Sequence, residues 1–358
     1  MRIAVLTSGG DAPGMNAAIR AVTKVGAGQG VDVHGIQGGY EGLLAGRFIR
    51  LTHEVGGSLH PERAIDLALG QGGTILGSSR SEAFRTKEGR AEAAERLAGF
   101  DGLVAIGGDG TLSGAHALAS EQGTRVIGVP ASIDNDVGCT SLAIGVDTAL
   151  NTIVEACSRV ADTARSHRRA FVVEVMGRRS GYLAMSSAVT VGADAAVIPE
   201  QARSVEEIAA SVERVIRQSF ELDDGKRQSL IMLAEGAGVP ATELVRLLND
   251  RLEDLPGVEA RAIVLGHLQR GGSPSYLDRM IGGRLGLMAL AALSQGRSDE
   301  MVAWRPSLDG GIPTEDSRVM RYPLERVMEE SAALVDGSSE VVQRRLKMME
   351  AVEGVLAL

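Results

Sequence analysis

One unit recurs along most of this chain and limits what it can fold into: a short aliphatic strand, a glycine-rich or polar turn, then a helix. Residues 3–7 read as a strand that runs into Ser8-Gly9-Gly10-Asp11-Ala12-Pro13-Gly14 and a helix over about 16–27. Residues 103–106 form another, ending in Gly107-Gly108-Asp109-Gly110-Thr111 before a helix over 112–121. A third, at 126–129, stops at Pro130 and turns through Ala131, Ser132, Ile133, Asp134, Asn135 and Asp136. A long helix over about 148–166 follows, and strands near 170–175, 195–198, 229–234 and 262–265 then alternate with helices. A helix over about 276–293 leads to a tail with short strands near 301–304 and 319–322 and helices over 324–335 and 339–351. Such βα alternation implies parallel sheets covered by helices on both faces. The strands outnumber those of one modest sheet, so the expectation is an α/β protein with two doubly wound, Rossmann-like domains. The economical boundary lies in or near the long helix beginning around Gly145.

Composition narrows the function. The net charge of −9 argues against a general nucleic-acid binder, which needs a basic footprint. Aromatic residues make up only 3 % of the chain, so its cores must be aliphatic. Cys139 and Cys157 are the only cysteines, which leaves no disulfide framework and no cysteine-based zinc site. No apolar run is long enough to span a membrane and no signal-peptide pattern precedes the first strand, so no membrane association and a cytoplasmic location are expected.

Chemistry-bearing residues fall repeatedly at strand ends: Gly10, Arg80, Asp109, Asp134, Arg178, Glu235, His267 and Arg270. Arg80 follows a Gly-framed segment, 72–77, read as strand-like. In open α/β sheets ligands sit outside the carboxyl ends of the strands. Taken singly, each residue has a bland reading: a solvated turn, a surface arginine, a satisfied histidine. Together they suit phosphoryl transfer, with glycine turns for phosphates, one carboxylate for Mg²⁺, another for an acceptor hydroxyl, and arginines for phosphate charge. The turn after the first strand is neither a P-loop nor a dinucleotide fingerprint, because its glycine and lysine spacing is wrong for both.

Six segments then resemble the bacterial type of the 6-phosphofructokinase family, in the family's order. They are TSGGDAPGMNAAIR (7–20), GGTILGSSR (72–80), GGDGT (107–111), PASIDND (130–136), VVEVMGR (172–178) and LGHLQRGGSPS (265–275). GGDGT alone is shared with NAD kinases and diacylglycerol kinases; the combination is specific. The resemblance covers about the first 280 residues. It implies the phosphofructokinase fold, ATP and fructose 6-phosphate as substrates, and Mg²⁺.

By the same resemblance, Asp134 is the base for the sugar 1-hydroxyl, Ser132 and Ile133 line the sugar site, and Asp136 supports it. Asp109 is the metal ligand. Gly10, Arg80, Ser81, Gly108, Gly110 and Thr111 match the nucleotide site, and Arg80 and Arg178 lie near the transferred phosphate. Met176, Gly177, Arg178 and Glu235 match sugar-binding positions. His267, Leu268, Gln269 and Arg270 match the segment at the sugar 6-phosphate. Arg169 and Arg261 match residues that reach a neighbouring subunit's site, so a homo-oligomer, dimer or tetramer, is implied. The implied domains are discontinuous: 1–146 with about 268–318 for the nucleotide, and 147–267 with about 319–358 for the sugar phosphate.

Two positions bear on the phosphoryl donor. Pyrophosphate users of the family typically carry a second Asp after the metal-site Asp and a Lys after the Pro of the PxTIDND motif. Here those positions are Gly110 and Ala131, which point to ATP. Ala131, Ser132 and Ser81 depart from the commoner Gly, Thr and aromatic residue of ATP users. The alternatives are a pyrophosphate-dependent phosphotransferase and a kinase of a related sugar phosphate, such as sedoheptulose 7-phosphate or tagatose 6-phosphate. A silent regulatory subunit is disfavoured by the intact Asp109, Asp134 and Arg178. Arg20, Lys24, Lys226, Arg227 and Glu200 match effector-site positions, yet Ala161 stands where regulated members often carry Arg. The expected response to nucleoside diphosphate and phosphoenolpyruvate is weak or altered.

Overall fold

The computed structural model describes residues 1–221 and 228–356, so Lys226 and Arg227 lie outside the described residues. The chain begins β1 (Arg2–Ser8), α1 (Met15–Gly28), β2 (Asp32–Ile36), α2 (Gly39–Leu44), β3 (Phe48–Arg50), β4 (Thr52–Val55), β5 (Ser58–Pro61) and α3 (Arg63–Leu67). It continues α4 (Lys87–Arg96), β6 (Gly102–Gly107), α5 (Asp109–Gln122), β7 (Val126–Pro130) and α6 (Val146–His167). Next come β8 (Arg169–Val175), α7 (Tyr182–Val191), β9 (Ala195–Val197), α8 (Val205–Glu221), β10 (Gln228–Ala234), α9 (Ala241–Arg251) and β11 (Glu259–Val264). The last elements are α10 (Tyr276–Ser294), β12 (Glu300–Trp304), β13 (Ile312–Pro313), β14 (Val319–Pro323), α11 (Leu324–Asp336) and α12 (Glu340–Leu356).

Two compact units form. The first joins Met1–Thr148 to Arg270–Ala332; the second joins Ala149–Gln269 to the chain from Ala333 onward. The second return to the other unit therefore falls near 332 rather than near 318. The cause is β14, which pairs antiparallel with β12 from Glu300↔Pro323 to Trp304↔Val319. Leu324 and Val327 of α11 extend the same core, packed with Leu112, Val126 and Met301.

The first unit carries an eight-stranded sheet in the order β13-β14-β12-β7-β6-β1-β2-β3. Its centre is parallel, because β1, β6 and β7 are aliphatic runs buried on both faces: Ile3 to Leu6, Leu103 to Ile106, and Val126, Ile127 and Val129 are fully buried. Its edges are not parallel: β3 pairs antiparallel with β2, and β14 with β12 and β13. The sheet is thus mixed, where the sequence pattern implied parallel pairing throughout. The hairpin β4–β5 stands as a separate two-stranded sheet.

Helices α1 and α10 meet through small residues. A Cβ on Gly282 would lie 2.8 Å from the Gly14 carbonyl oxygen, and one on Gly286 would lie 2.6 Å from that of Ala18. Neither backbone can retreat without opening the core. Gly283, one position on, has open space. Gly286→Ala is therefore expected to destabilise the protein by about 1–3 kcal/mol through overpacking, despite the helix propensity of Ala. Gly283→Ala is expected to stabilise it by about 0.5–1 kcal/mol. Urea unfolding of the two variants checks the contrast; equal stabilities would show that the helices do not touch at Gly286.

The second unit is built on a four-stranded, all-parallel sheet in the order β11-β8-β10-β9. Ile208, Val212 and Ile216 recur every four residues along α8 and pack with Leu244 and Leu248 of α9 against Val172, Ile231 and Leu233 of the sheet.

Candidate functional site

In the first unit the chain steps from β1 to β2 on one side and returns to β6 on the other. Such a reversal leaves a crevice outside the carboxyl ends of the strands. Turns after β1, β6 and β7 all leave the sheet at that end.

The turn after β1 uses left-handed backbone at Gly9 (φ 83°) and at Gly14 (φ 107°), the residue that begins α1. Arg270 lies across it: Nη1 donates to the Asp11 carbonyl at 3.1 Å, and a Cβ on Gly10 would sit 2.9 Å from that nitrogen. Arg270, expected at a sugar phosphate, thus rests on the β1 turn in this structure.

Residues 72–80 form no strand, contrary to the Gly-framed reading. They are an irregular segment tied side chain to backbone along β1. Thr7 Oγ1 donates to the Gly77 carbonyl at 2.8 Å, Ser8 Oγ to that of Ser79 at 3.2 Å, and Ser78 Oγ to that of Gly9. Arg80 emerges from this segment exposed, with no ion pair among the described residues. Ser81 donates to Glu41 Oε2 at 2.8 Å.

After β6 the helix starts at Asp109, three residues earlier than expected, with Gly108 as its cap. Asp109 therefore occupies the first turn of α5, where a carboxylate is favoured by the helix dipole. Gly110 is exposed, and a Cβ there would meet nothing within 4 Å. Thr111 is buried; its Oγ1 donates to the Ser8 carbonyl at 2.9 Å and its own carbonyl accepts from Tyr40 Oη at 2.7 Å. Burial pushes the Tyr40 phenol well above its usual range, so it stays a donor, and its ring stacks on Phe84 with centroids 3.8 Å apart. Tyr40 was not among the sequence candidates, yet it fixes the start of α5.

After β7, Ala131 donates its N–H to the Gly107 carbonyl at 2.9 Å and pairs with Ile144. Ser132 Oγ donates to Asp136 Oδ1 at 2.8 Å. Asn135 has φ 50°, a left-handed conformation that Asn tolerates better than most residues. It is buried, and its side chain braces the loop: Nδ2 donates to the Ser141 carbonyl at 3.1 Å, and Oδ1 accepts the Ala143 N–H at 3.0 Å. Asp134 is half-buried between fully buried Ile133 and this brace. Ile133 is thus a support beneath the loop. The sequence reading gave Asn135 no role, although its place between two carboxylates was the available signal.

In the second unit, the loops after β8, β10 and β11 are tied together. The Gly236 N–H reaches the Gly177 carbonyl at 3.3 Å, the Glu235 N–H donates to Val175 at 2.9 Å, and the Met176 N–H donates to Gln269 Oε1 at 3.2 Å. Gly177 has φ 127°, and a Cβ on it would lie 2.3 Å from the Ser180 carbonyl. Arg178, Glu235, His267 and Leu268 are exposed, and Met176 is buried. Gln269 is fully buried, and its amide holds Met176 and the Gly266 carbonyl, so it shapes the loop from below.

Arg169 and Arg261 are not with this group. Arg169 opens β8, at the end of the strand opposite Met176 and Arg178. Seven residues of strand separate those ends by about 20 Å. Glu259 gathers both arginines, with Arg169 Nε at 3.7 Å and Arg261 Nη2 at 2.7 Å. The effector candidates Arg20 and Lys24 are similarly taken up by Asp66, at 2.8 and 2.9 Å. Glu200 accepts the Gly181 N–H at 2.7 Å.

No group of three or more His, Cys, Asp or Glu able to hold a metal occurs among the described residues. Mg²⁺ does not need one: it is usually held by one or two carboxylates with substrate phosphates and water. An exposed Asp109 beside the open space at Gly110 fits that donor set.

Glycine turns, two carboxylate turns and the exposed Arg80 and Arg178 on a wound α/β scaffold are the parts that a phosphoryl-transfer protein uses. The chain belongs to the phosphofructokinase family, whose profile, described as "Phosphofructokinase", matches residues 2–293. It is 43 % identical over 337 residues to an ATP-dependent 6-phosphofructokinase of Thermotoga neapolitana, covering 93 % of this chain and 99 % of that protein. It is 45 % identical over 304 residues to ATP-dependent 6-phosphofructokinase 1 of Thermus thermophilus, covering 84 % of this chain and 88 % of that one. Among solved structures it resembles phosphofructokinase from Saccharomyces cerevisiae, with TM-score 0.80 and 29 % identity, over 99 % of this chain and 49 % of that chain. A pyrophosphate-dependent phosphofructokinase from Marinobacter aquaeolei, at 19 % identity and TM-score 0.73 over 98 % of this chain and 91 % of that one, shares the fold.

Proposed function

We propose that this chain transfers the γ-phosphoryl group of ATP to the 1-hydroxyl of fructose 6-phosphate, giving fructose 1,6-bisphosphate and ADP. The observation that carries the reading is the near full-length match to relatives named ATP-dependent 6-phosphofructokinase, with Asp109 and Asp134 both at carboxyl ends of adjacent strands. Asp134 takes the hydroxyl proton as the oxygen attacks in line. Arg80 and Arg178 offset the charge developing on the transferred group. Ser132 and Asp136 hold the loop of Asp134 through their shared hydrogen bond. Gly10, Ser81, Gly108, Gly110 and Thr111 belong to the nucleotide side. Asp109 would hold Mg²⁺, which when bound neutralises phosphate charge.

Met176, Gly177, Arg178 and Glu235 take the sugar, and the segment His267, Leu268, Gln269 and Arg270 serves the 6-phosphate, with Gln269 bracing it from within and Arg270 exchanging the Asp11 carbonyl for the phosphate. The first unit is then the nucleotide side and the second the sugar-phosphate side. Arg169 sits at the strand end opposite the sugar residues of its own sheet and shares Glu259 with Arg261, which supports their reaching a neighbouring subunit in a dimer or tetramer. A cytoplasmic setting suits a glycolytic kinase, and no helix among the described residues is long and apolar enough to cross a membrane. The Asp66 pairs on Arg20 and Lys24 support a weak or altered effector response.

The donor is tested by initial rates with fructose 6-phosphate and Mg²⁺, supplying either ATP or pyrophosphate. Turnover with ATP and none with pyrophosphate is expected, because open space at Gly110 leaves room for a nucleotide. Turnover with pyrophosphate alone would overturn the donor assignment.

A further inference from the structure

A carboxylate far from the reactive turn in sequence secures the segment that carries it. Asp278, in the first turn of α10, is fully buried. Its Oδ1 accepts the Gly145 N–H at 2.8 Å; its Oδ2 accepts the Thr148 N–H at 2.7 Å and the Thr148 hydroxyl at 2.6 Å. Those donors belong to the start of α6, whose first backbone N–H groups have no helical partner of their own. Asp278 therefore caps a helix 130 residues upstream. The Thr148 hydroxyl also accepts the Ser275 N–H at 2.9 Å, and Ser275 Oγ accepts the Asp278 N–H at 3.1 Å, so the junction is closed on itself. Burial raises the Asp278 carboxyl above its ordinary range against the pull of these bonds, and nearby Asp147 adds to the rise. A carboxylate placed at that cost is there for its geometry.

The junction leads directly to Asp134. Gly145 closes on Ile133: a Cβ on Gly145 would lie 3.2 Å from Ile133 Cγ2 and 2.6 Å from Ala12 Cβ. Ile144 donates its N–H to the Pro130 carbonyl at 3.1 Å and pairs with Ala131. On the other side, a Cβ on Gly14 would meet Ile144 Cγ2 at 2.8 Å and Asp278 Cβ at 3.1 Å. The end of the carboxylate loop at Gly145 is thus held by Asp278 directly, and the end at Ala131 is linked to it through its pairing with Ile144. We propose that Asp278 is a positioning residue for Asp134, holding the loop 131–145 in register through Gly145 and Thr148. This rests on the reading of Asp134 as the base.

The test is a double-mutant cycle on the full-length enzyme with Asp278→Asn and Asp134→Ser, reading kcat and KM for ATP and fructose 6-phosphate below the unfolding temperature of each variant. Asn keeps one acceptor and loses the other, so one end of α6 slips. A shift of about 1 Å at a reacting group costs up to about a hundred-fold; the expectation for Asp278→Asn is a kcat lower by about ten-fold with KM values nearly unchanged. In the Asp134→Ser background the same change should cost less than about two-fold, because no base is left to misplace. Thr148→Val, which removes a single hydroxyl, should show the same pattern more weakly, Thr148→Ser should restore it, and this pair decides the matter if Asp278→Asn does not fold. Unchanged kcat, or an equal loss in both backgrounds, would overturn the positioning role. Normal turnover of Asp134→Ser alone would instead overturn the assignment of the base.

Discussion

Asp134→Ser lowers kcat by about three orders of magnitude and leaves both KM values within about three-fold. The serine cannot accept the 1-hydroxyl proton, so the oxygen attacks without deprotonation. General-base contributions of about 10²–10⁴ are ordinary, and a thousand-fold loss corresponds to about 4 kcal/mol of barrier. Ground-state binding survives because the loop is held by other residues. Ile133 stays buried under Gly145, Asn135 keeps its bonds to Ser141 and Ala143, and Ser132 keeps Asp136. A loss confined to kcat marks an interaction made in the transition state, whereas a matching rise in KM would mark a binding residue. Steady-state kinetics decide between these, and turnover within about ten-fold of wild type would remove Asp134 from the role of base.

The central strands of both units were readable in the sequence because burial on both faces demands unbroken aliphatic runs, and 103–106 or 230–233 can hardly be anything else. The glycine and carboxylate turns were readable because they interrupt those runs at the strand ends. What failed has a physical pattern. The hairpin β4–β5 is short and mostly polar, with Thr52 its one buried residue, so it carries no hydrophobic period. The segment before Arg80 looked like a strand from its Gly-framed Ile75-Leu76, but its hydrogen bonds run to side chains and turns of β1 and α2. The helix start at Asp109 was hidden by flanking glycines, which read as loop when propensity is weighed alone. Gln269 was singled out by the family resemblance of its segment, and only packing reveals that its amide also braces the loop. Asp278 was out of reach for another reason: its partners lie 130 and 133 residues away, and no local pattern encodes such a bond.

Gly236→Ala raises the KM for fructose 6-phosphate by about a hundred-fold, with the KM for ATP nearly unchanged. The sequence singled out Glu235 and passed over its neighbour, yet Gly236 is where two loops of the second unit touch. A Cβ there would sit 2.1 Å from the Arg178 carbonyl oxygen and 2.9 Å from that of Gly177. Both neighbours are backbone, so no side chain can swing aside. The loop 176–180 also has little freedom to retreat: Met176 is held by Gln269, and Gly177 is fixed in a left-handed conformation against the Ser180 carbonyl. The added methyl therefore displaces Arg178 by about 1 Å or more, and such a shift in a binding group is enough for a hundred-fold effect. Overpacking also costs about 1–3 kcal/mol of stability, so the kinetics are measured well below the unfolding temperature. The selectivity is what separates positioning from damage. A variant in which the two KM values rise together has lost general integrity, and one with an unchanged sugar KM shows that Arg178 does not meet the sugar phosphate. A selective rise places Met176, Gly177, Arg178 and Glu235 on the sugar, because Gly236 reaches the substrate only through their loops.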